Sequence, residues 1–598
     1  MNQGSASRSI EKLLFVIALV FVALLSNPYT YGHSNHSQEL TPVLALIDSS
    51  LFTRDFAVQS FLEMSPRYFW QALIVSSHQL TGFPVDVIMM VINLLSHGMF
   101  FFGLLCLTEH LLYRSGIVIS DGTEYYYSKL FGIFGLLAFF SITHLPSWGS
   151  KIFFNVAVPS TLAMAIAIWT LVFAINQRWL AAFLSASFAI WFHFLVGLYA
   201  GLVIFPFFAI VCLKNRWFRL LVLCSFVWLA PAVFIYTKML VNEAVVNPSH
   251  NFFDVFGMFR VPHHWVPSTG GLYRWLFDGF FLMSAIFSSW QLLARANQKA
   301  HVWFFLSIIG VACSGLILNY VFVEIFHSEF IGKLQFQRIL PFGHLAIFSL
   351  ISLYSFTLKS QSLLERVVKF LILFVSLFGT LILHKSSLSG FVNAAITLVV
   401  LAVITICFVL SRKNRFNLPL LSFVFVASFF VIVYFKPDYF DNLKPGLGAE
   451  VQKRYDFYEN SGSKPLIADW LLQHTSQDDL VLYAPLGYNF YDRIQINSRR
   501  SAFFIHKNVP YSRQGVFEWA TRGEMLIGTK FLPFMTSAEL EKHWDSREIA
   551  SIEEIAEAYD ICYIVDNPEF HEKYNGELLI RETIDNKVYA LWALDKCN

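Results

Sequence analysis

The sequence predicts a polytopic α-helical membrane protein that ends in a soluble C-terminal α/β domain. Three observations carry this. Hydrophobic residues make up 56% of the 598-residue chain and charged residues only 14%. The apolar residues gather into runs close to the roughly 20 residues that a helix needs to cross a bilayer. After Tyr434 the charges return and the apolar runs shrink to strand length. The 64 phenylalanines, 24 tyrosines and 15 tryptophans suit a helix bundle and its interfacial belts. The net charge of +2 comes from short basic clusters between apolar runs, a topology signal rather than a nucleic-acid surface. Of seven cysteines, Cys106, Cys212, Cys224, Cys313 and Cys407 lie in or beside apolar segments without CxxC spacing, whereas Cys562 and Cys597 can pair outside the cytoplasm.

The first apolar run, 12–26, follows Arg8 and Lys12 and lacks a small-x-small cleavage site before Asn27-Pro28, so it reads as a retained first helix. Further runs cover 84–113, 126–143, 156–175, 180–192, 196–213, 219–237, 273–294, 302–323, 339–357, 370–384, 391–410 and 418–435, which makes about 13 spans. Charge alternation supports that parity. Arg114, Arg178, Lys214-Arg216-Arg219, Arg295 with Lys299, Lys359-Arg366-Lys369 and Arg412-Lys413-Arg415 all fall on the side of the N-terminus. The expected topology has a cytoplasmic N-terminus and a C-terminal domain outside. Around His193 the apolar stretch is read as two short helices, because merging them upsets the downstream charge pattern.

The membrane part is expected to span 1–435, with long outer loops at 28–83 and 238–272, and the soluble α/β domain 436–598. In the first loop, 42–50 and 57–64 read as amphipathic helices lying on the membrane surface. In the tail, 467–474 and 551–559 read as helices, 480–484, 501–505 and 562–565 as strands, and 577–584 with 587–594 as a closing hairpin around Asp585-Asn586. No phosphate-binding glycine loop occurs there, which favours a lid or docking module over a nucleotide site.

The candidate chemistry lies at the outer rim. A carboxylate just outside the first span can act as general base on an acceptor hydroxyl while a donor stays anchored in lipid, with Asp55 the leading candidate and Glu39 the second. For Asp55 the structural alternative is a helix N-cap or an ion pair with Arg54 or Arg67. Arg260, His263 and His264, framed by Pro262 and Pro267, form a stiff polar patch suited to a phosphate leaving group. Arg338 can neutralise a lipid phosphate, or snorkel to headgroups. A divalent metal is a secondary possibility, with His33, His36 or Asp55 completing a set, although no specific ligand is assigned. His193 sits at a tight outer turn, and Trp265 can stack on a substrate ring.

These residues carry a family resemblance: Gln38 through Pro42, Leu51 through Asp55, His193 with Gly197, Arg260 through Pro267 and Gln337-Arg338. In the tail it continues through Tyr491-Asp492-Arg493 to Arg500-Ser501, Lys507 to Tyr511, and Glu518-Trp519 to Arg522. On them, and on its overall layout, the chain resembles the GT-C superfamily of polytopic glycosyltransferases, and within it bacterial membrane proteins with a C-terminal extracytoplasmic domain. The resemblance implies a bacterial inner-membrane enzyme with a periplasmic tail. Such an enzyme moves a sugar from a polyprenyl-phosphate donor to a glycan, lipid or protein acceptor in cell-envelope or surface-polysaccharide assembly, usually with inversion and with a first-loop acidic residue central to catalysis. Gln38, His33, His36, His193 and Trp265 are then expected at the substrate, and Arg260, His263, His264 and Arg338 at the donor phosphate. Where many members place an acidic pair after the first helix, this chain has His33, Asn35 and His36, so the role passes to Asp55 or Glu39. The other readings are a transporter or flippase of a lipid-linked solute, and a non-catalytic assembly protein on the same scaffold; the rim position of the charged groups and the lack of an internal repeat favour the enzyme.

Overall fold

The computed structural model describes residues 35–114, 123–143, 156–241, 250–384 and 465–597, apart from 271, 296–298, 487–488, 572–573 and 585–586, together with isolated positions at 16, 17, 20, 29, 31, 32 and 152. The expected spans at 391–410 and 418–435, most of 12–26, the start of the tail and His33 lie outside the described residues.

Three helices precede the bundle: α1 (His36–Ile47), α2 (Phe56–Leu62) and α3 (Tyr68–Thr81). The bundle continues with α4 (Val85–Arg114), α5 (Thr123–Thr143), α6 (Pro159–Ile175), α7 (Trp179–Phe192), α8 (Phe194–Asn215), α9 (Phe218–Val241), α10 (Leu272–Arg295), α11 (Lys299–Asn319), α12 (Glu329–Leu334), α13 (Leu340–Thr357) and α14 (Leu363–His384). Six stretches among the described residues are long and apolar enough to cross a membrane: Val85–Tyr113, Phe194–Asn215, Phe218–Met239, Trp275–Arg295, Lys299–Ile325 and Glu329–Thr357. Gly132–Ser141, Pro159–Ile175 and Trp179–Phe192 are shorter apolar helices beside them.

The first loop departs from expectation. Pro42 reads as a helix start, because proline suits the first helical position, yet α1 begins six residues earlier and carries Pro42 inside. The entry is held by His36, whose Nδ1 accepts from the Gly32 N–H at 2.9 Å and whose Nε2 meets the Ala157 carbonyl at 3.1 Å. Helix α2 begins where expected because Asp55 caps it, accepting from the Val58 N–H at 3.0 Å. At His193 the chain turns extended (φ −147°, ψ 103°) and separates α7 from α8. Its N–H closes α7 on the Ala189 carbonyl and its Nδ1 accepts from Val196 at the start of α8. Gly197 lets the two helices touch, since a Cβ there would run into the backbone of Ile190.

Two π-helical segments, Phe253–Arg260 and Tyr320–Ile325, and a single turn, Pro262–Trp265, shape the other loops at this end of the bundle. Trp265 is buried among Phe252, Phe253 and Phe256 and wedges against Gly257 and Gly332, where any side chain would collide with its ring. Its carbonyl accepts from Asn319 at 2.8 Å, which anchors the turn to the end of α11.

The tail is a five-stranded sheet in the order β2-β1-β3-β5-β4, from β1 (Leu480–Tyr483), β2 (Ser501–Ala502), β3 (Tyr563–Asp566), β4 (Gly576–Ile584) and β5 (Lys587–Leu594). β1 runs parallel to β2 and β3; β5 runs antiparallel to β3 and β4. Helices α15 (Leu466–His474), α16 (Asn489–Ser498), α17 (Arg513–Ile527), α18 (Ser537–Asp545) and α19 (Ile549–Ala558) accompany it. The expected strand 501–505 is realised only at Ser501 and Ala502, which pair with Leu480 and Val481. Phe504 and Ile505 turn instead toward Trp519, whose Nε1 donates to the Ile505 carbonyl at 3.1 Å, and that turn aims the next residues at the membrane domain.

The tail docks through specific contacts. Phe259 stacks on Phe531 with ring centroids 4.2 Å apart, the Phe534 N–H donates to the Met258 carbonyl, and Arg513 grips both Glu329 oxygens at 2.5 and 2.6 Å. Asp55 completes the joint: its Oδ2 accepts from Gln495 Nε2 at 2.6 Å and from the Ala502 N–H at 2.9 Å. Asp55→Ala strands those two buried donors and the cap together, so it should cost about 2–4 kcal/mol. Thermal melting and limited proteolysis in detergent check this: the tail should be cut sooner in the variant, and an unchanged melting profile would remove Asp55 from the joint.

Candidate functional site

Beneath that joint, polar and ionisable side chains from several segments converge. Helix α1 contributes Gln38 and Glu39, and the turn before α3 contributes Arg67. The π-helix ends on Arg260, and the Trp265 turn carries His263 and His264. A 3-10 turn, Phe336–Ile339, carries Arg338 at the head of α13, and the α7–α8 break supplies His193. From the tail come Asp492 on α16 and the β2–α17 connection with His506, Lys507 and Tyr511.

Arg67 is the organiser on one side. Its Nη1 donates to Glu39 Oε1, and to Gln38 Oε1 at 3.2 Å, while its guanidinium lies 5.3 Å from the Tyr511 ring centre. On the other side the Lys507 carbonyl accepts from two distant segments at once, from Gln38 Nε2 and from Arg260 Nη2 at 3.3 Å. Arg338 interacts electrostatically with Arg67 and Tyr511, and its Nε donates to Gln335 at 2.5 Å.

The field inside this cluster is uneven. Burial pushes the Glu39 carboxyl up to about 7, with Arg67 pulling against it. Burial likewise lifts Asp492 to about 7, opposed by Lys507, Arg260 and a hydrogen bond from Ser37. Burial lowers Lys507 to about 8 and Arg260 to about 10, in each case against the pull of Asp492. His506 falls to about 3 through burial and then through Arg260 and Lys507. His264 falls well below the usual imidazole range through burial, then Arg338, His263, Arg260 and His193. These two imidazoles are neutral at physiological pH, so the positive charge rests on Arg67, Arg260, Arg338 and Lys507, set against two carboxyls poised near neutrality.

Several buried polar atoms here have no partner among the described residues: Glu39 Oε2, Asp492 Oδ2, Tyr511 Oη, Arg260 Nε and His264 Nδ1. Buried polar atoms are overwhelmingly paired in folded proteins, so five orphans in one cluster mark a place built to receive polar groups.

Of the residues expected from the sequence, Gln38, Glu39, His193, Arg260, His263, His264 and Arg338 come together. Asp55 does not: it is buried in the tail joint with both oxygens engaged, and burial lifts its carboxyl to about 6. His36 spends both ring nitrogens on the entry to α1, and the Trp265 ring is the fully buried wedge described above, so neither faces the cluster. Arg67, Asp492, His506, Lys507 and Tyr511 were not expected there. Among the described residues no three His, Cys, Asp or Glu side chains are grouped to hold a metal ion.

No protein-family model matches the sequence, and no curated protein matches it either. Among solved structures the chain is similar to the crystal structure of ArnT from Cupriavidus metallidurans bound to undecaprenyl phosphate, with 14% identity, 98% of each chain covered and a TM-score of 0.49.

The Glu39–Arg67 pair makes a pH-dependent prediction. A carboxyl whose folded pKa is raised from 4.5 to about 7 binds a proton in the folded state that the unfolded chain has lost, so stability falls as pH rises through that window. Arg67 offsets part of the fall. Arg67→Ala should therefore destabilise by about 2–3 kcal/mol at pH 8 and by clearly less at pH 5. Melting curves at the two pH values check this, and an equal loss at both would show that the pair does not set the Glu39 ionisation.

Proposed function

We propose that this chain is a membrane glycosyltransferase that moves a sugar from a polyprenyl-phosphate donor to a hydroxyl acceptor at the outer face of the bilayer. The observation that carries this reading is the cluster of four cations with Glu39 half-satisfied among them. A phosphate-linked donor meets the cationic requirement, because charge that develops on the phosphate as the sugar–phosphate bond breaks is stabilised by preorganised guanidiniums. An apolar groove of about 380 Å³ supports the lipid part. It runs between α8 and α11, lined by Leu202, Pro206, Val311 and Gly315, and closes on Phe336 and Ile339, the residues that flank Gln337-Arg338. A prenyl chain lying there would bring its phosphate to Arg338.

In the proposed reaction Glu39 Oε2, the oxygen that Arg67 leaves free, takes the proton from the acceptor hydroxyl. The hydroxyl oxygen then bonds to the anomeric carbon, the carbon–oxygen bond to the phosphate breaks, and polyprenyl phosphate leaves with the electron pair. One displacement inverts the anomeric centre. A carboxyl lifted to about 7 suits a general base at neutral pH. Asp55, with every oxygen engaged, is the weaker candidate despite its position.

The tail is read as extracytoplasmic, and the segments it touches support this: loop 28–83, the π-helix and turn at 253–265, and Glu329 all belong to the side opposite the basic clusters at Arg178, Lys214–Arg219 and Arg295. Cys562 is disulfide-bonded, as suits an oxidising compartment.

The test is turnover of polyprenyl-phosphate-linked sugars by the purified protein in lipid nanodiscs, followed as release of polyprenyl phosphate. Glu39→Gln should lower kcat by about 10²- to 10⁴-fold with little change in melting, whereas Asp55→Asn should keep most turnover per folded molecule. Wild-type kcat/KM should rise with pH through about 7 as Glu39 ionises and fall above about 8 as Lys507 loses its charge; Glu39→Gln should flatten the acidic limb. Equal rates for wild type and Glu39→Gln would sink Glu39 as the base, and no release from any such donor would sink the reading itself.

A further inference from the structure

The opposite end of the bundle carries a second charged feature that the proposed reaction does not use. Helices α7 and α8 run away from His193, and over 14 and 22 residues they descend roughly 20 and 30 Å to two neighbouring turns, one between α6 and α7 and one between α8 and α9. The turns share a groove of about 1090 Å³, lined by Arg178, Arg216 and Arg219 together with Trp179, Trp217 and Phe218.

The charge there is one-sided. Between Glu124 and Glu243 the sequence holds no aspartate or glutamate, so this part of the chain supplies no carboxylate to the three arginines. None of the three forms an ion pair among the described residues. Their neighbours Leu180, Leu184, Trp217 and Phe218 are large, apolar and exposed, as suits residues at the boundary of the hydrocarbon layer. The groove is therefore cationic at one level and greasy at the next.

The two turns are also built alike, at a cost to the backbone. Gln177 and Arg216 hold left-handed conformations (φ 58° and 60°), and the N–H that follows each returns five residues, Arg178 to Phe173 at 2.9 Å and Trp217 to Cys212 at 2.8 Å. Glycine is the usual occupant of that position in such a helix ending, and a residue with a Cβ is disfavoured there. Side chains retained at a strained position point to a use for them. The groove is floored by the first turns of α7 and α9, whose leading N–H groups have no helical partner and add to the positive field.

We propose that this groove binds the phosphodiester headgroup of an anionic phospholipid, held by Arg178, Arg216 and Arg219, with its acyl chains against Trp217, Phe218 and Leu184. The occupant follows from complementarity. Arginine forks match phosphate oxygens, and the exposed apolar residues at the groove match acyl chains that a free phosphate ion lacks. The site is separate from the proposed catalytic cluster and does not depend on its function.

The test uses the purified full chain, delipidated in neutral detergent and then supplied with phosphatidylglycerol, phosphatidylcholine or inorganic phosphate. Native mass spectrometry should show retention of phosphatidylglycerol roughly tenfold above phosphatidylcholine, and phosphatidylglycerol alone should raise the melting temperature. The triple variant Arg178→Gln, Arg216→Gly, Arg219→Gln should lose that preference. Arg216→Gly alone relieves the backbone, so it should melt no lower than wild type without lipid yet gain less from phosphatidylglycerol; it decides the matter where the triple variant does not fold. Equal retention of the two lipids, stabilisation by inorganic phosphate to the same degree, or an unchanged preference in Arg216→Gly would each overturn the proposal.

Discussion

Four partly buried basic side chains held together against two carboxyls that burial lifts to about 7 are the constraint on which this end of the protein depends. Desolvated cations repel one another, and burial alone drives them toward neutrality. Lys507 and Arg260 show that pressure as lowered pKa values. A fold tolerates such a cluster where bound anions relieve it or where rigid surroundings prevent its dispersal. This protein shows the second directly: Arg67 lies against the Tyr511 ring and Arg260 donates to the Lys507 carbonyl, each across hundreds of residues of chain.

The ties are economical. One carbonyl, that of Lys507, receives donors from α1 and from the π-helix at 253–260, so the tail residue that brings a cation also fixes Gln38 and Arg260. The Trp265 wedge fixes the His263–His264 turn against α11 and α12, and it requires glycine at 257 and 332 to fit. Asp55 then locks the sheet edge at Ala502 to the start of α2. The tail is thus part of the site and not a cover over it: without Lys507, Tyr511 and Asp492 the cluster would lose a cation, the aromatic face under Arg67, and one of its two carboxyls.

Much of the bundle was legible because it follows from local pattern. Apolar length sets the helices, and the break at His193 was marked by charge parity. The hairpin 576–594 and helix α15 were legible from alternation and periodicity. The early start of α1 was not, because it depends on His36 reaching Ala157, 121 residues away, which no local spacing announces. Strand β2 was read too long for a related reason: Phe504 and Ile505 read as strand by composition but are claimed by Trp519. In the site, outer-loop position singled out Arg260, His263, His264 and Arg338. Arg67, Lys507 and Asp492 escaped because their partners come from other segments, and the Glu39–Arg67 pair spans 28 residues with no helical register between its members. The available signal was that Asp492 and Lys507 lie among the tail residues that carry the family resemblance.

Asp55 and Glu39 show why position in the sequence ranks carboxylates poorly. Both precede α3, both are buried, and burial lifts both above the usual range. What separates them is satisfaction. Asp55 accepts three hydrogen bonds, from Val58, Gln495 and Ala502, and its lone pairs are committed to holding two parts of the chain together. Glu39 gives one oxygen to Arg67 and leaves Oε2 buried without a partner, an arrangement that costs stability unless something else uses that oxygen. Adding further donors around Glu39 would stabilise the fold and remove the base. The unsatisfied oxygen is therefore the feature that distinguishes a carboxylate kept for chemistry from one kept for architecture.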